Sequence, residues 1–276
     1  MKNLSFEALG KIGNLIEEHF NAIAVKFLGM IPRASKNKRL TFSIEPDSIT
    51  SLFVQALGTE KPTEAEEDTL KSLLMIADSY VDALKDRTKA QVMNDISAYV
   101  SDMGNQNKPI NMIKIGNIFE EKMDKAKTHF EMIAGVESNK ASNTGTALQI
   151  VKVAENAGDN NPTAFFIVTV DDRTGPYEFI LHLLPDGVTP RLWKLNEITS
   201  SYYKPGDQYP SLCGLHPNCR CKITYLPPGY GFDSKGKIKF IALGHDEYKV
   251  QREKHGLPGV PAKISKKKSQ KELTPA

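Results

Sequence analysis

The chain has little of what holds small secreted proteins or membrane proteins together. Among 276 residues there are three cysteines and one tryptophan, and aromatic residues make up only 8%. An odd number of cysteines crowded between 213 and 221 does not make a disulfide framework. The thiols are expected to be reduced, and either packed or metal-bound, in a protein made in a cytoplasm. No uncharged apolar run is long enough to cross a bilayer, and Glu7, Lys11, Glu17 and Glu18 interrupt the first apolar positions, so the N-terminus does not read as a secretory signal. A formal net charge of +3 excludes a polycation, so charge matters here only where it clusters. Phosphate-loop, GxSxG and HExxH signatures are missing, which removes the standard enzyme motifs.

What is present is ordinary globular material, 40% hydrophobic and 25% charged, with enough chain to bury a core. Residues 4–31 carry Leu9, Ile12, Ile16, Phe20, Ile23 and Phe27 at steps of three and four, the spacing of one helix face, with Gly29 and Pro32 marking its end. Residues 39–44 alternate as a short strand would, and a short helix follows Asp47 through Leu57. Thr63 and Glu66 have capping-box spacing and open a helix through Leu73, Ala77, Val81 and Leu84, resuming after Arg87 through Val92 and Ile96 to Gly104. Pro109 opens another long helical segment through Phe119, Phe130 and Ile133.

The texture changes after residue 158. Strands are expected at 164–170, 178–183, 191–195, 220–226 and 235–240, with a tight turn at Pro185 to Gly187. The expected class is α+β: a helical N-terminal half, then a small mixed or antiparallel sheet module and a basic mobile tail. The boundaries are 1–108 for a docking region, 109–230 for the α+β module and 231–276 for a C-terminal extension.

Three segments carry chemistry. Cys213, His216, Cys219 and Cys221 put four soft ligands in nine residues, the donor types tetrahedral zinc accepts. All four come from one short stretch with no distant partner, and Cys219 and Cys221 are expected to face apart. The leading reading is therefore a structural turn with His216 bonded to local backbone and Pro217 fixing the corner. Zinc, or a nucleophilic Cys–His pair, are the alternatives. Asp171, Asp172 and Arg173 follow the strongest strand and read as a strand-end ion pair, with metal binding or acid–base work as the alternative. Lys263, Lys266, Lys267, Lys268 and Lys271 form a solvated basic end, or a phosphate-binding one.

Two of these segments, with the stretch from Met132 to Gly145 that holds Glu137, Asn143 and Gly145, occur in a particular order. That stretch comes first, then Ala164 to Arg173 with Asp172, then the closing run His216, Pro217, Asn218, Cys219, Arg220, Cys221. In this order they resemble the Mu F-like minor head protein family of tailed bacteriophages, over roughly residues 85–226. Many members carry Cys-x-x-Cys just after the acidic-Arg turn. Arg173 to Tyr177 holds no cysteine here, which weakens a zinc site built from both segments.

The resemblance implies a head morphogenesis protein in the virion head, bound to the portal and neighbouring head proteins. It implies no catalytic residue, no small-molecule substrate and no membrane contact. The helices before residue 134 would dock, and the lysine tail, with Arg252 and Lys254 upstream, would meet packaged double-stranded DNA without reading sequence. Two other classes stay open: a zinc-stabilised nucleic-acid-binding module, and a toxin-like or thiol enzyme.

Overall fold

Residues 6–28, 48–59, 61–172, 174–216 and 219–260 are described by the structure, a computed structural model; for 6–9 and 23–28 the backbone alone is described. The expected strand at 39–44, the helix-ending Gly29 and Pro32, Arg173, Pro217 and the whole lysine tail lie outside these residues. The chain is α+β, with six α-helices and five short strands among the described residues. It divides into two compact units, one of 1–51 with 69–134 and the other of 52–68 with 135–276. Its breaks, after residues 51, 68 and 134, all fall within helices. No helix is long and apolar enough, among the described residues, to cross a membrane.

The first unit is helical. Helix α1 (Phe6–Leu28) buries Ile16 and Phe20. Helix α2 (Ile49–Leu57) begins in this unit. Helix α3 (Glu64–Asn105) has the expected start, with the Thr63 amide donating to the Glu66 carboxylate at 2.7 Å. Its interruption at Arg87 does not occur. Leu73, Ala77, Val81, Leu84, Thr88, Val92 and Ile96 form one buried stripe at steps of three and four, and the Thr88 hydroxyl donates to the Leu84 carbonyl at 2.8 Å. A buried threonine bonded back to its own helix continues an apolar face that its polarity hides in the sequence. An ion pair between Lys122 and Asp95 at 2.7 Å ties α4 (Met112–Asn156) to α3. Met75, Met112 and Ile113 stay largely exposed in this unit.

The second unit is built on the C-terminal part of α4 and a three-stranded antiparallel sheet. Strands β1 (Thr163–Ile167), β2 (Trp193–Lys194) and β3 (Lys222–Leu226) lie in the order β2-β1-β3, with Phe165 opposite Thr224 and Phe166 opposite Ile223. Strand residues alternate faces. Ala164 and Phe166 pack with Ala147 and Ile150 of α4, while Phe165 packs with Leu192 and Leu226 on the other face. Burial on both sides explains the unbroken apolar run in β1. Gly145 lets α2 approach α4, since a Cβ there would stand 2.5 Å from the Phe53 carbonyl oxygen.

Between β1 and β2 the chain forms helix α5 (Pro176–His182), where a strand at 178–183 was expected. Pro176 presets the first helical residue, and the Glu178 carboxylate accepts from the Gly175 amide, closing a helix start. A seven-residue helix with one turn of apolar residues mimics a strand in sequence. The Asp186–Gly187 turn follows as expected, with Gly187 at φ 69° and Asp186 accepting from the Val188 and Thr189 amides. A hairpin of β4 (Tyr230–Phe232) and β5 (Ile238–Phe240) and helix α6 (Glu247–His255) complete the unit.

Candidate functional site

The C-terminal part of α4 turns a polar face inward, and that face organises the site. Glu137, Asn139, Lys140 and Asn143 are all buried. A buried polar group is tolerable only when bonded, so each has a partner to find. Asn143, with no exposed surface, finds three. Its amide donates to the Leu212 carbonyl at 3.1 Å and the Cys221 carbonyl at 3.2 Å, and its oxygen accepts from the Ile223 amide at 3.2 Å. It therefore joins the helix to the start of β3 and to the loop before it. Six positions earlier, Glu137 accepts from the Tyr202 hydroxyl, and the Lys140 ammonium lies 5.0 Å over the Tyr202 ring. Asn139 accepts from the Lys222 ammonium at 3.0 Å. Glu137 and Asn143 thus hold different segments, as their spacing on the helix requires.

His216, Cys219 and Cys221 close against α5. The Glu178 Oε1 lies 3.0 Å from His216 Nε2, 3.6 Å from Cys219 Sγ and 3.4 Å from Cys221 Sγ. Glu178, Cys219 and Cys221 are buried, and their three ligand atoms all lie within 4.8 Å of one another, so these residues form a possible metal-binding group. The His216 side chain keeps 33% of its surface exposed and forms the open edge. Gly214, at φ 83°, permits the fold-back: a Cβ there would stand 2.7 Å from the Cys219 Cβ.

The charges in this corner are coupled. Burial pushes the Glu178 carboxyl up, but bonds from His216 and the Gly175 amide outweigh it and hold it below the usual carboxylate range. The Cys219 thiol is drawn down to about 7, chiefly because Cys221 donates to it, and Cys221, holding the shared proton in a buried place, is pushed up. Behind them His182, one helical turn from Glu178, is fully buried and stacks on Phe166 with ring centroids 4.3 Å apart. Burial pulls its pKa down to about 3, so the imidazole is neutral at ordinary pH.

Several sequence expectations change. Cys213 leaves the candidate ligand set of Cys213, His216, Cys219 and Cys221: its thiol donates to the Ser200 carbonyl at 3.1 Å instead. Burial also raises its pKa. Cys219 and Cys221 do not face apart, because positions two apart on an extended chain share a side. His216 Nε2 faces Glu178 rather than only local backbone. Asp171 pairs with Arg220 at 2.7 Å, tying the acidic turn after β1 to the cysteine segment, while Asp172 is exposed. Arg252 is not held out toward a partner: it pairs with Glu197 at 3.0 Å and lies over the Trp193 and Tyr248 rings. Lys254 is exposed on α6.

Sequence reasoning missed Glu178, His182, Lys140 and Tyr202. Glu178 had a usable signal, the Gly175-Pro176 start three residues before it, which marks a helix rather than a strand. Lys140 and Tyr202 had none, since they meet across about sixty residues of chain, and His182 is hidden by its stacking on Phe166 of β1.

Two clefts of the second unit, one lined by Lys194, His245 and Tyr248 and one by Thr199, Ser200 and Gln208, include none of the four corner residues. No family model, curated protein or solved structure matches the chain.

Proposed function

We propose that the chain is a minor head protein of a tailed bacteriophage, made in the host cytoplasm and seated at the portal vertex inside the head. It acts by holding other molecules rather than by catalysis. The observation that carries this reading is the closure of the His/Cys corner. Residues of catalytic type are packed under 10% exposure at Cys219, Cys221 and Glu178 and joined through Asn143 to the core helix. A nucleophile needs a substrate beside it, and chemistry locked in this way braces the fold. The binding surfaces are then elsewhere. The first unit leaves Met75 and Ile113 at 74% and 75% exposure, side chains that docking on a portal or neighbouring head protein would cover.

The lysine-rich end supplies the second contact, with packaged double-stranded DNA, through phosphates and without sequence preference. Removing residues 261–276, and so sparing the buried Val260, is expected to lower DNA affinity at least about tenfold at low salt and to flatten its salt dependence, because the released counterions number roughly the neutralised phosphates. Fluorescence anisotropy on a labelled duplex over a salt series reads both, and circular dichroism confirms the retained fold. DNA affinity unchanged by the truncation removes the tail from this account.

The alternative of a zinc-stabilised nucleic-acid-binding module acting outside a particle is favoured by one observation, the Glu178, Cys219 and Cys221 group. Within the head-protein reading zinc in that group has a structural role. Detection of this chain in purified tailed particles separates the two: a particle protein belongs to the first reading, and a chain found only in the cell belongs to the second.

A further inference from the structure

We propose that Glu178, His216, Cys219 and Cys221 hold a single zinc ion that clamps α5 to the start of β3. The proposal stands apart from the head-protein reading and survives or fails independently of it.

Glu178, Cys219 and Cys221 already cluster, their ligand atoms within 4.8 Å of one another, and His216 stands at their edge beside Glu178, so the three separations from Glu178 Oε1 can be set against the edges of a tetrahedron about a small ion. Zinc bonds of about 2.3 Å to sulfur and about 2.0–2.1 Å to oxygen and nitrogen give S···O edges of about 3.5 Å and N···O edges of about 3.3 Å. The corresponding separations from Glu178 Oε1 are 3.6 and 3.4 Å to the two sulfurs and 3.0 Å to the His216 nitrogen. Two thiolates, an imidazole and one carboxylate oxygen suit a borderline-soft cation. They do not suit calcium or magnesium, which take oxygen ligands in larger number.

The surroundings fix the donors. The second Glu178 oxygen accepts from the Gly175 amide, which turns Oε1 toward the sulfurs. Backbone amides of Cys221 and Leu215 are directed at the Cys219 sulfur. Arg220 and Lys222 flank Cys221 and offset the negative charge that two thiolates and a carboxylate bring. His182, fully buried one helical turn from Glu178, lies within electrostatic reach of Glu178 and His216. Three buried donors and one at the surface give a closed site with an entry edge, the form of a structural zinc centre.

The two ligand-bearing segments are about forty residues apart in the chain, Glu178 on α5 and the rest on the closing loop. The ion would therefore supply a long-range cross-link in a unit without disulfides among the described residues.

The test uses the full chain, purified under reducing conditions without added chelator. Elemental analysis is expected to return one zinc per chain. After metal removal, Co2+ titration is expected to produce thiolate-to-cobalt charge-transfer absorption and the visible bands of tetrahedral cobalt at one equivalent. Glu178→Gln is expected to weaken Zn2+ binding by at least about 10- to 100-fold, the loss an outer-shell partner alone causes, because here a ligand itself is replaced. Cys213→Ser is expected to bind zinc as the parent does. A folded chain that takes up neither Zn2+ nor Co2+ overturns the proposal. So does a site that Cys213→Ser destroys and Glu178→Gln leaves intact.

Discussion

Replacing Asn143 with alanine is expected to cost the second unit about 3–5 kcal/mol, because it leaves buried groups without partners at about 1–3 kcal/mol each. The side chain has no exposed surface, and its three bonds go to the carbonyls of Leu212 and Cys221 and the amide of Ile223. Water cannot replace them without opening the interface between α4 and β3. A loss of that size is a large part of the roughly 5–15 kcal/mol that holds an ordinary domain folded. Urea denaturation followed by the fluorescence of Trp193, which is fully buried in this unit, reads the change. Asn143→Asp separates bonding from packing. It keeps the size and the acceptor for Ile223 but turns a carboxylate oxygen toward two carbonyl oxygens, so it is expected to be at least as damaging as alanine. A tolerated Asp, or an alanine cost below about 1 kcal/mol, would show that Asn143 only fills space.

The second large effect has a sign that helix propensity alone gets wrong. Within a helix, glycine to alanine normally stabilises by about 1 kcal/mol. Gly145→Ala is expected to destabilise instead, by about 1–3 kcal/mol, the usual cost of overpacking. The new Cβ would lie 2.5 Å from the Phe53 carbonyl oxygen, 3.0 Å from the Ala56 Cβ and 3.2 Å from the Leu57 amide. Two of these neighbours are backbone of α2, so relief requires moving the helix rather than a side chain. Valine at 145 is expected to be worse than alanine. Chemical denaturation of the three proteins orders them glycine, alanine, valine; an alanine variant more stable than the parent would show that α2 does not pack there.

Asn143 and Gly145 were both singled out in the sequence, and the structure gives each a physical reason. The same is true of the α3 start at Thr63 and Glu66, the long helices and strands β1 and β3. These features are written in local spacing, where one residue type every three, four or two positions is enough. The expected strand at 178–183 failed because the four apolar residues Tyr177, Phe179, Ile180 and Leu181 in a seven-residue stretch fit either period, and only the Gly175-Pro176 start distinguishes them. That single error also hid Glu178, since a carboxylate on a strand end has no reason to meet the cysteines. The ligand set containing Cys213 failed for a related reason. Four soft residues in nine positions look like one cluster, but the bend at Gly214 sends Cys213 toward Ser200 and the later pair toward α5. The clasp of Arg252 on Trp193 and the buried Lys140 could not be read locally, because their partners lie about sixty residues away.

The corner formed by His216, Cys219 and Cys221 belongs to the framework, closed by α5 and pinned by Asn143. Thiol reactivity in the folded protein tests that most directly. All three cysteines are buried and unpaired by disulfide. With excess 5,5′-dithiobis(2-nitrobenzoate) under native conditions at neutral pH, Cys213, Cys219 and Cys221 are expected to react no faster than the second unit unfolds. They should react together, with rates that rise steeply in urea. Rapid labelling of Cys219 alone, with the rest of the fold intact, would reveal an open, nucleophilic thiol and contradict the account.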